Sequence, residues 1–240
     1  MATGALEILE REVERLSVRP ATAHGPPGAP TGLPPLDAVL PDGGLPRGRI
    51  VEWLGPPSSG KSAVLRASLE QLRRDGESVA LIDGTRALYA PDWVTLVPGE
   101  GEFWIVRPPS PREATWCADL LLRSGAFGAV ALRVDEPAGG RAGGHSDLLG
   151  QAASVRLQRL AEEASAVFVT LGRTAVAALR LGFRPGRIDP LQDAVFGPRL
   201  PPLRPVWIRV GKGGRVEVPV LCPVPEDRPL TVTRDRKGPL

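Results

Sequence analysis

Apolar residues near the N-terminus recur at helical spacing, with Glu and Arg between them. These residues are Leu6, Leu9, Val13 and Leu16. Three- and four-residue steps of this kind are typical of an amphipathic helix, so the sequence predicts one over residues 3–16, within an N-terminal unit 1–16. Its apolar face can dock on the core of this chain or on a partner.

The next segment, residues 17–30, is rich in Pro and Gly and has no apolar periodicity. Such composition is typical of a linker. Short, continuously apolar runs and helix-like runs then alternate. The predicted strands are RIVEWLG, SVALIDG, FWIVR at 103–107, GAVALRV at 128–134 and SAVFVTL. Alternation of this kind predicts a mostly parallel sheet covered by helices on both faces.

The intervening helices are predicted from KSAVLRASLEQLRRDG, from residues 111–124 and from HSDLLGQAASVRLQRLAEEA. The apolar side of the last helix is predicted to contain Leu148, Ala152, Val155 and Leu160. The end of the chain differs, because PVWIRVGKGGRVEVPVL indicates two strands across a Gly-rich turn. We therefore predict an α/β core domain over residues 31–225 with antiparallel edge strands at its C-terminus, and a loosely ordered tail at 226–240.

Composition indicates the cellular compartment of the protein but does not by itself indicate a catalytic or metal site. The formal net charge is +3, and of 30 basic residues only Lys61, Lys212 and Lys237 are lysines. Cys117 and Cys222 are too few and too isolated for a disulfide framework or a zinc site, as expected in a reducing compartment. The N-terminus lacks the apolar region of a signal peptide, and no apolar run is long enough to span a membrane. The sequence thus predicts a cytoplasmic protein without a membrane partner.

The segment GPPSSGKS, residues 55–62, fits the phosphate-binding pattern GxxxxGK[ST] and stands between a predicted strand and a predicted helix. Glycines let such a loop curl so that backbone N–H groups face a phosphate at the positive end of the helix. Lys61 would reach the β and γ phosphates, and the Ser62 hydroxyl would face Mg²⁺. The predicted nucleotide-binding residues are Gly55, Ser58, Ser59, Gly60, Lys61 and Ser62, with ATP and Mg²⁺ as the expected ligands.

Residues 31–89 resemble the core of the bacterial RecA family, notably in GGLPRGRIVE running into the phosphate loop and in LIDGTRAL. RSGAFGAVAL at 123–132 extends the resemblance more weakly to about residue 220. The resemblance implies a RecA-like core. At three of the matching positions, however, this sequence lacks a residue on which the chemistry of RecA depends.

Thr85 stands where RecA has an acidic residue that activates water. Arg133 stands where RecA has the aspartate that holds the metal, and Leu171 or Gly172 replaces a glutamine that senses the γ-phosphate. Asp135, two residues after Arg133, would lie about 6–7 Å further along an extended strand. It is either a shifted metal ligand, together with Ser62, or a solvated loop acid.

With these residues lost, the sequence resembles the short RecA-related proteins of the ImuA type. That resemblance implies an adaptor with little or no ATP hydrolysis in DNA-damage-induced (SOS) mutagenesis and translesion DNA synthesis. The implied partners are RecA, an ImuB-like protein and an error-prone polymerase. The alternative is a DNA-dependent ATPase or recombinase that uses Asp135. A cell-division inhibitor of the SulA type is disfavoured by the intact phosphate-loop motif.

Arginines and aromatics are concentrated between residues 172 and 205, which is expected to be a long connection in which AVAALRLGF adds a helical turn or two. The candidate contact residues are Arg173, Arg180, Arg184, Arg187 and Arg199. This composition suits single-stranded DNA, through phosphate contact and base stacking. It equally suits a protein interface, in which arginine and aromatics are enriched. Tyr89 and Trp93 follow the segment where RecA contacts adenine, and either base stacking or packing is open to them.

Overall fold

The computed structural model describes residues 2–17, 28–89, 93, 101–134, 149–185, 203–211 and 215–223. Within these ranges the helices are α1 (Ala2–Ser17), α2 (Pro34–Asp37), α3 (Lys61–Arg74), α4 (Pro111–Arg123) and α5 (Gln151–Ala164). The first strands are β1 (Gly28–Ala29), β2 (Leu45–Pro46), β3 (Arg49–Leu54), β4 (Val79–Asp83) and β5 (Phe103–Val106). The later strands are β6 (Ala129–Arg133), β7 (Val167–Leu171), β8 (Leu179–Pro185), β9 (Leu203–Gly211) and β10 (Arg215–Pro223).

Among the described residues, eight strands form one sheet in the order β10, β9, β8, β3, β7, β6, β4, β5. The strands from β8 to β5 are parallel to their neighbours, whereas β9 and β10 are antiparallel additions at the β8 edge. This arrangement confirms the predicted α/β fold with a mostly parallel sheet and antiparallel edge strands at the C-terminus. The strands β1 and β2 form a separate short pair.

Alternate residues of each strand enter two hydrophobic cores on opposite faces of the sheet. One core contains Val51, Trp53 and the buried side of α2 and α3. The other contains Ile50, Phe168 and the buried sides of α4 and α5. Because the strands are buried on both faces, they appear in the sequence as continuous apolar runs.

Helix α1 packs on the core of its own chain, on the α4 side of the sheet. Val13 is 4 % exposed, and Leu6 and Leu9 are partly buried against the same core. Ile8, on another side of the helix, is 56 % exposed. Leu16 lies within α1, but its side chain is outside the described part of the chain. Of the two docking modes open to this helix, the structure has the intramolecular one.

Helix α4 begins where a capping side chain and a proline favour a start. The Ser110 Oγ accepts the Glu113 N–H at 3.3 Å, and its hydroxyl donates to Glu113 Oε2 at 2.6 Å. Pro111 occupies the first turn, where its missing N–H has no partner to lose. The cap places the buried side of α4 over β4 and β6.

Two predictions of local structure are wrong. In α5 the buried residues are Ser154, Leu157, Leu160 and Ala161, whereas Val155 is 52 % exposed. The predicted apolar side is therefore rotated from the observed one, which Ser154 can join because its hydroxyl donates to the Leu149 carbonyl. The segment containing AVAALRLGF forms no helical turn but continues into strand β8, in which Leu179, Leu181 and Phe183 alternate with outward residues.

Candidate functional site

The phosphate-loop motif connects β3 to α3 at the carboxyl end of the parallel strands. Residues 55–60 form the turn, and Lys61 is the first residue of the helix. Ser58 has a φ of 59° and Gly60 a φ of 94°, so the loop curls through left-handed conformations before the helix starts. The structure thus builds the strand, loop and helix that the motif requires.

Polar side chains of the loop are held in defined places. Lys61 donates from Nζ to the Gly55 carbonyl at 2.6 Å, closing the loop from its helix side to its strand side. The Ser62 hydroxyl lies on an exposed residue, whereas Ser59 is buried and its Oγ has no hydrogen-bond partner within the described part of the chain. A buried hydroxyl without a partner is unfavourable unless a ligand supplies one.

Two glycines of the loop are required by close contact with the C-terminal strands. A Cβ on Gly55 would lie 2.6 Å from the carbonyl oxygen of Phe183 in β8. A Cβ on Gly60 would overlap the Val206 side chain in β9. Strands β8 and β9 therefore constrain the loop from outside, in addition to its own curvature.

The end of β4, which is separated from β3 by β7 and β6, carries a fully buried carboxylate that the sequence analysis did not single out. Asp83 Oδ1 accepts the Thr85 hydroxyl at 3.0 Å, and Oδ2 accepts the Leu88 N–H at 3.1 Å. The Arg107 Nε lies 3.4 Å from the same Oδ2. Thr85, at the position expected for a water-activating acid, thus directs its hydroxyl to Asp83.

Residues at the three adjacent strand ends are in register. In the backbone register, Asp83 in β4 is opposite Arg133 in β6, and Arg133 is opposite Leu171 in β7. All three share the face of the sheet that packs on α3, because Ala131 and Val169, two residues earlier in β6 and β7, belong to that core. The structure therefore aligns Arg133 and Leu171, two of the positions compared with RecA, with Asp83, which accepts the hydroxyl of the third, Thr85. Asp135 lies outside the described residues.

These strand ends do not fit a Mg²⁺ ion. Magnesium is usually held by one or two carboxylates with waters and substrate phosphates, but the Asp83 oxygens are already engaged by Thr85, Leu88 and Arg107. Arg133 presents a positive charge, and Leu171 presents no donor atom. No group of three or more acidic, His or Cys residues that could hold a metal occurs in the described ranges.

A second buried carboxylate, also missed in the sequence analysis, lies under the opposite face of β3. Glu52 is 1 % exposed, and its Oε2 accepts the Thr174 N–H at 2.8 Å. The Arg180 Nε lies 3.1 Å from its Oε1. An acidic residue within an otherwise apolar strand was the signal that could have identified it, because a carboxylate is seldom fully buried without partners.

Strands β8 to β10 present arginines and a tryptophan on the face opposite α3. The Arg184 guanidinium lies 5.1 Å from the centre of the Trp207 ring, within cation–π range. Arg184 and Arg209 both donate to Glu217, at 2.6 and 2.7 Å. The hydrogen bonds from Arg209 and then from Arg184 lower the pKa of the Glu217 carboxyl. We call Arg180, Arg184, Trp207, Arg209 and Glu217 the arginine face.

The predicted contact arginines thus divide into three groups. Arg180 and Arg184 lie on strand β8 and not in a loop. Arg173 is exposed in the short connection between β7 and β8. Arg187 and Arg199 lie outside the described residues. The predicted connection from 172 to 205 is therefore interrupted by a sheet strand.

Two aromatics near β4 differ in accessibility. Trp93 is buried and stacks on Phe103 with ring centres 6.3 Å apart, whereas Tyr89 is exposed. Trp93 therefore has a packing role.

Among the helices described, none is both long and apolar enough to cross a bilayer.

Comparison with known proteins adds a relationship over slightly less than half of the chain. Residues 22–139 match the RecA N-terminal domain. Protein RecA of Amycolatopsis mediterranei is 38 % identical over 104 residues, covering 43 % of this chain and 30 % of that protein. Protein RecA of Treponema pallidum is 39 % identical over 106 residues, or 43 % of this chain and 25 % of that protein. Protein RecA of Dichelobacter nodosus is 34 % identical over 110 residues, or 46 % and 31 %. The chain spans less than a third of the length of these relatives.

Proposed function

We propose that this RecA-like chain is an accessory protein of DNA-damage-induced mutagenesis and translesion DNA synthesis, with little or no ATP hydrolysis. It acts in the cytoplasm as an adaptor of the ImuA type, contacting RecA, an ImuB-like protein and an error-prone polymerase. The observation that carries the proposal is the register of Asp83, Arg133 and Leu171 beside an intact phosphate loop.

Phosphate binding and hydrolysis require different groups, and this chain has mainly the groups that bind phosphate. The loop supplies Lys61, backbone N–H groups and the start of α3. Hydrolysis also requires a bound metal and a residue that orients water. Thr85 donates its hydroxyl to Asp83, and Arg133 cannot ligate a metal ion. We therefore expect a nucleotide to regulate this protein through binding and not through turnover.

The arginine face is the proposed contact surface for a macromolecule. Its three arginines are each more than half exposed, while one of their two carboxylate partners, Glu52, is buried. The surface therefore carries excess positive charge beside Trp207, which suits either single-stranded DNA or a protein. Helix α1, with Ile8 exposed, is the second proposed contact surface and would bind RecA.

The alternative function is a DNA-dependent ATPase or recombinase of the RecA kind. It is favoured by the well-formed phosphate loop and by the relatives, which are named Protein RecA. In that function Asp135 would hold the metal together with Ser62.

ATP turnover with and without single-stranded DNA separates the two functions. We expect no DNA-stimulated phosphate release above that of the Lys61→Ala variant. Stimulated release that the Lys61→Ala substitution abolishes would overturn the adaptor proposal. A pull-down tests the partner: deleting residues 1–16 should weaken retention of RecA, and unchanged retention would remove α1 from the proposal.

A further inference from the structure

We propose that the phosphate site takes a nucleoside triphosphate without a divalent cation, and that the Arg133 guanidinium contacts the terminal phosphates where a metal would otherwise lie. This deepens the proposed function and rests on nucleotide binding by residues 55–62. The inference concerns how the negative charge of the phosphates is neutralised.

The position of Arg133 follows from the sheet. It is the last residue of β6, and β7 separates that strand from β3, which leads into the phosphate loop. Neighbouring strands lie about 4.8 Å apart, so β6 is roughly 10 Å from β3. Arg133 shares the α3 face with Ala129 and Ala131, and α3 starts at Lys61. The long arginine side chain therefore stands on the face, and at the sheet end, where the phosphates would be bound.

The charge at this position opposes a metal ion. A dication placed beside a guanidinium is repelled, and the repulsion is larger at a partly buried site than in bulk water. Arg133 is partly buried. The Asp83 carboxylate cannot compensate, because it is shielded by Thr85, Leu88 and Arg107. The described residues thus supply cations where a metal site supplies anions.

Arg133 also differs from the other arginines near these strand ends. Arg107 faces Asp83, and Arg180 faces Glu52. Arg133 is the register partner of Asp83 but forms no salt bridge with a carboxylate among the residues that the structure describes. A guanidinium presents a planar fork of donors that matches two phosphate oxygens, and it remains charged at any physiological pH. A phosphate group is therefore the anion that fits it.

The buried Ser59 hydroxyl is an independent indication of a ligand in the same loop. Its Oγ has no hydrogen-bond partner among the described residues, although the residue is 1 % exposed. A phosphate in the loop would supply that partner, since its oxygens accept hydrogen bonds without help from a metal. Both Ser59 and Arg133 would be satisfied by the same triphosphate.

Isothermal titration of the full chain with ATP, in EDTA and in Mg²⁺, tests the proposal. We expect dissociation constants within about threefold of each other in the two buffers. Arg133→Ala should weaken binding in EDTA by about tenfold or more, as expected for loss of a charge-assisted contact. Arg133→Lys should retain part of the affinity. Arg159→Ala, which removes an exposed arginine of α5 that pairs with Glu163, is the charge-matched control and should bind as the wild type does.

Three outcomes would overturn the inference. The first is binding that requires Mg²⁺ and is lost in Asp135→Ala, which would place the metal on that residue. The second is equal affinity of the wild type and Arg133→Ala in EDTA, with both proteins folded by circular dichroism. The third is no binding in either buffer. The third outcome would also remove nucleotide regulation from the proposed function. None of the three overturns the adaptor role itself, which depends on the absence of DNA-stimulated turnover.

Discussion

The Nε of Arg180 lies 3.1 Å from Oε1 of Glu52, and this ion pair joins β8 to the strand that leads into the phosphate loop. The two residues are also register partners in the sheet. Glu52 is buried and receives a second hydrogen bond, from the Thr174 backbone. The connection after β7, strand β8 and strand β3 are therefore held together through one carboxylate.

Removing Arg180 should destabilise the fold. Arg180→Ala leaves the Glu52 carboxylate buried with only Thr174 as a partner, and we expect a loss of about 1–2 kcal/mol in the free energy of unfolding. This value is discounted because Arg180 is 58 % exposed and its charge is screened by solvent. Urea denaturation measures the change. Arg159→Ala, at an exposed pair, should change stability by less than about 0.5 kcal/mol. Equal losses in both variants would contradict a structural role for the Arg180–Glu52 pair.

The arginine face should bind nucleic acid more tightly when its own carboxylate is neutralised. Glu217 holds Arg184 and Arg209, so Glu217→Gln frees both guanidinium groups for phosphates. We expect a several-fold gain in affinity for a labelled single-stranded oligonucleotide, measured by fluorescence anisotropy over a range of salt. Glu163→Gln, an equal charge change on α5, should have a smaller effect.

Removing positive charge from the arginine face should weaken DNA binding. Neutralising Arg184 together with Arg187 should weaken DNA binding and reduce its dependence on salt. If affinity and salt dependence both stay unchanged, a protein is the better candidate for this face.

The loop glycine Gly60 should differ from a glycine elsewhere that also has a positive φ. Gly60→Ala introduces a left-handed alanine whose Cβ meets Val206, whereas Gly43, at a φ of 73°, has no atom within 4 Å of its added Cβ. We expect Gly43→Ala to lower the free energy of unfolding by about 1 kcal/mol. Gly60→Ala should lower it by roughly 2–4 kcal/mol, because overpacking adds to strain. Thermal denaturation gives both values, and similar losses would show that β9 does not restrict the loop.

Helix α1 should be released by a charge on its buried side. Val13→Asp places a carboxylate in the apolar contact with the α4 side of the sheet, while Ile8→Asp changes an exposed position of the same helix. We expect faster tryptic cleavage after Arg11 and Arg15 in Val13→Asp, because undocking exposes the helix backbone. Cleavage of Ile8→Asp should match the wild type. Equal rates in the two variants would place the helix away from this core.

The thiol of Cys117 should be protected by the fold. Burial, and then the charge of Glu113, raise its pKa from 9.0 to about 11. At pH 8 this reduces the thiolate fraction roughly 100-fold, so in a Cys222→Ser background the thiol should react with a disulfide reagent at least that much more slowly than in denaturant. Rapid reaction of the folded protein would contradict this burial.

The same pKa shift has a defined consequence for stability. The pKa of the Cys117 thiol is higher in the folded state than its unfolded value of 9.0. The contribution of the protonated thiol to the free energy of unfolding is therefore fully present below about pH 9. It is lost as the pH rises toward about 11.

Local patterns predicted those elements whose side chains alternate or repeat strongly. The buried runs of β3, β4, β6 and β7 and the bounds of α4 were predicted close to their observed positions. Strand β8 was missed, because alanines before LRLGF favour a helix locally while pairing with β3 and β9 favours a strand. The buried side of α5 differs from the predicted one because Ser154 donates its hydroxyl to the Leu149 carbonyl and can enter the core.

The order of residues along the chain determined the phosphate loop, since its chemistry depends on spacing within eight residues between one strand and one helix. It did not determine what surrounds that loop. Asp83, Arg133 and Leu171 are far apart in sequence, and parallel pairing alone aligns their strand ends on one face. Likewise, the approach of Phe183 and Val206 to the loop glycines, and of Arg180 to Glu52, exists only after β8 and β9 join the sheet. Contacts between distant segments arise from the sheet's hydrogen-bond register and the packing of its faces, neither of which a local pattern encodes.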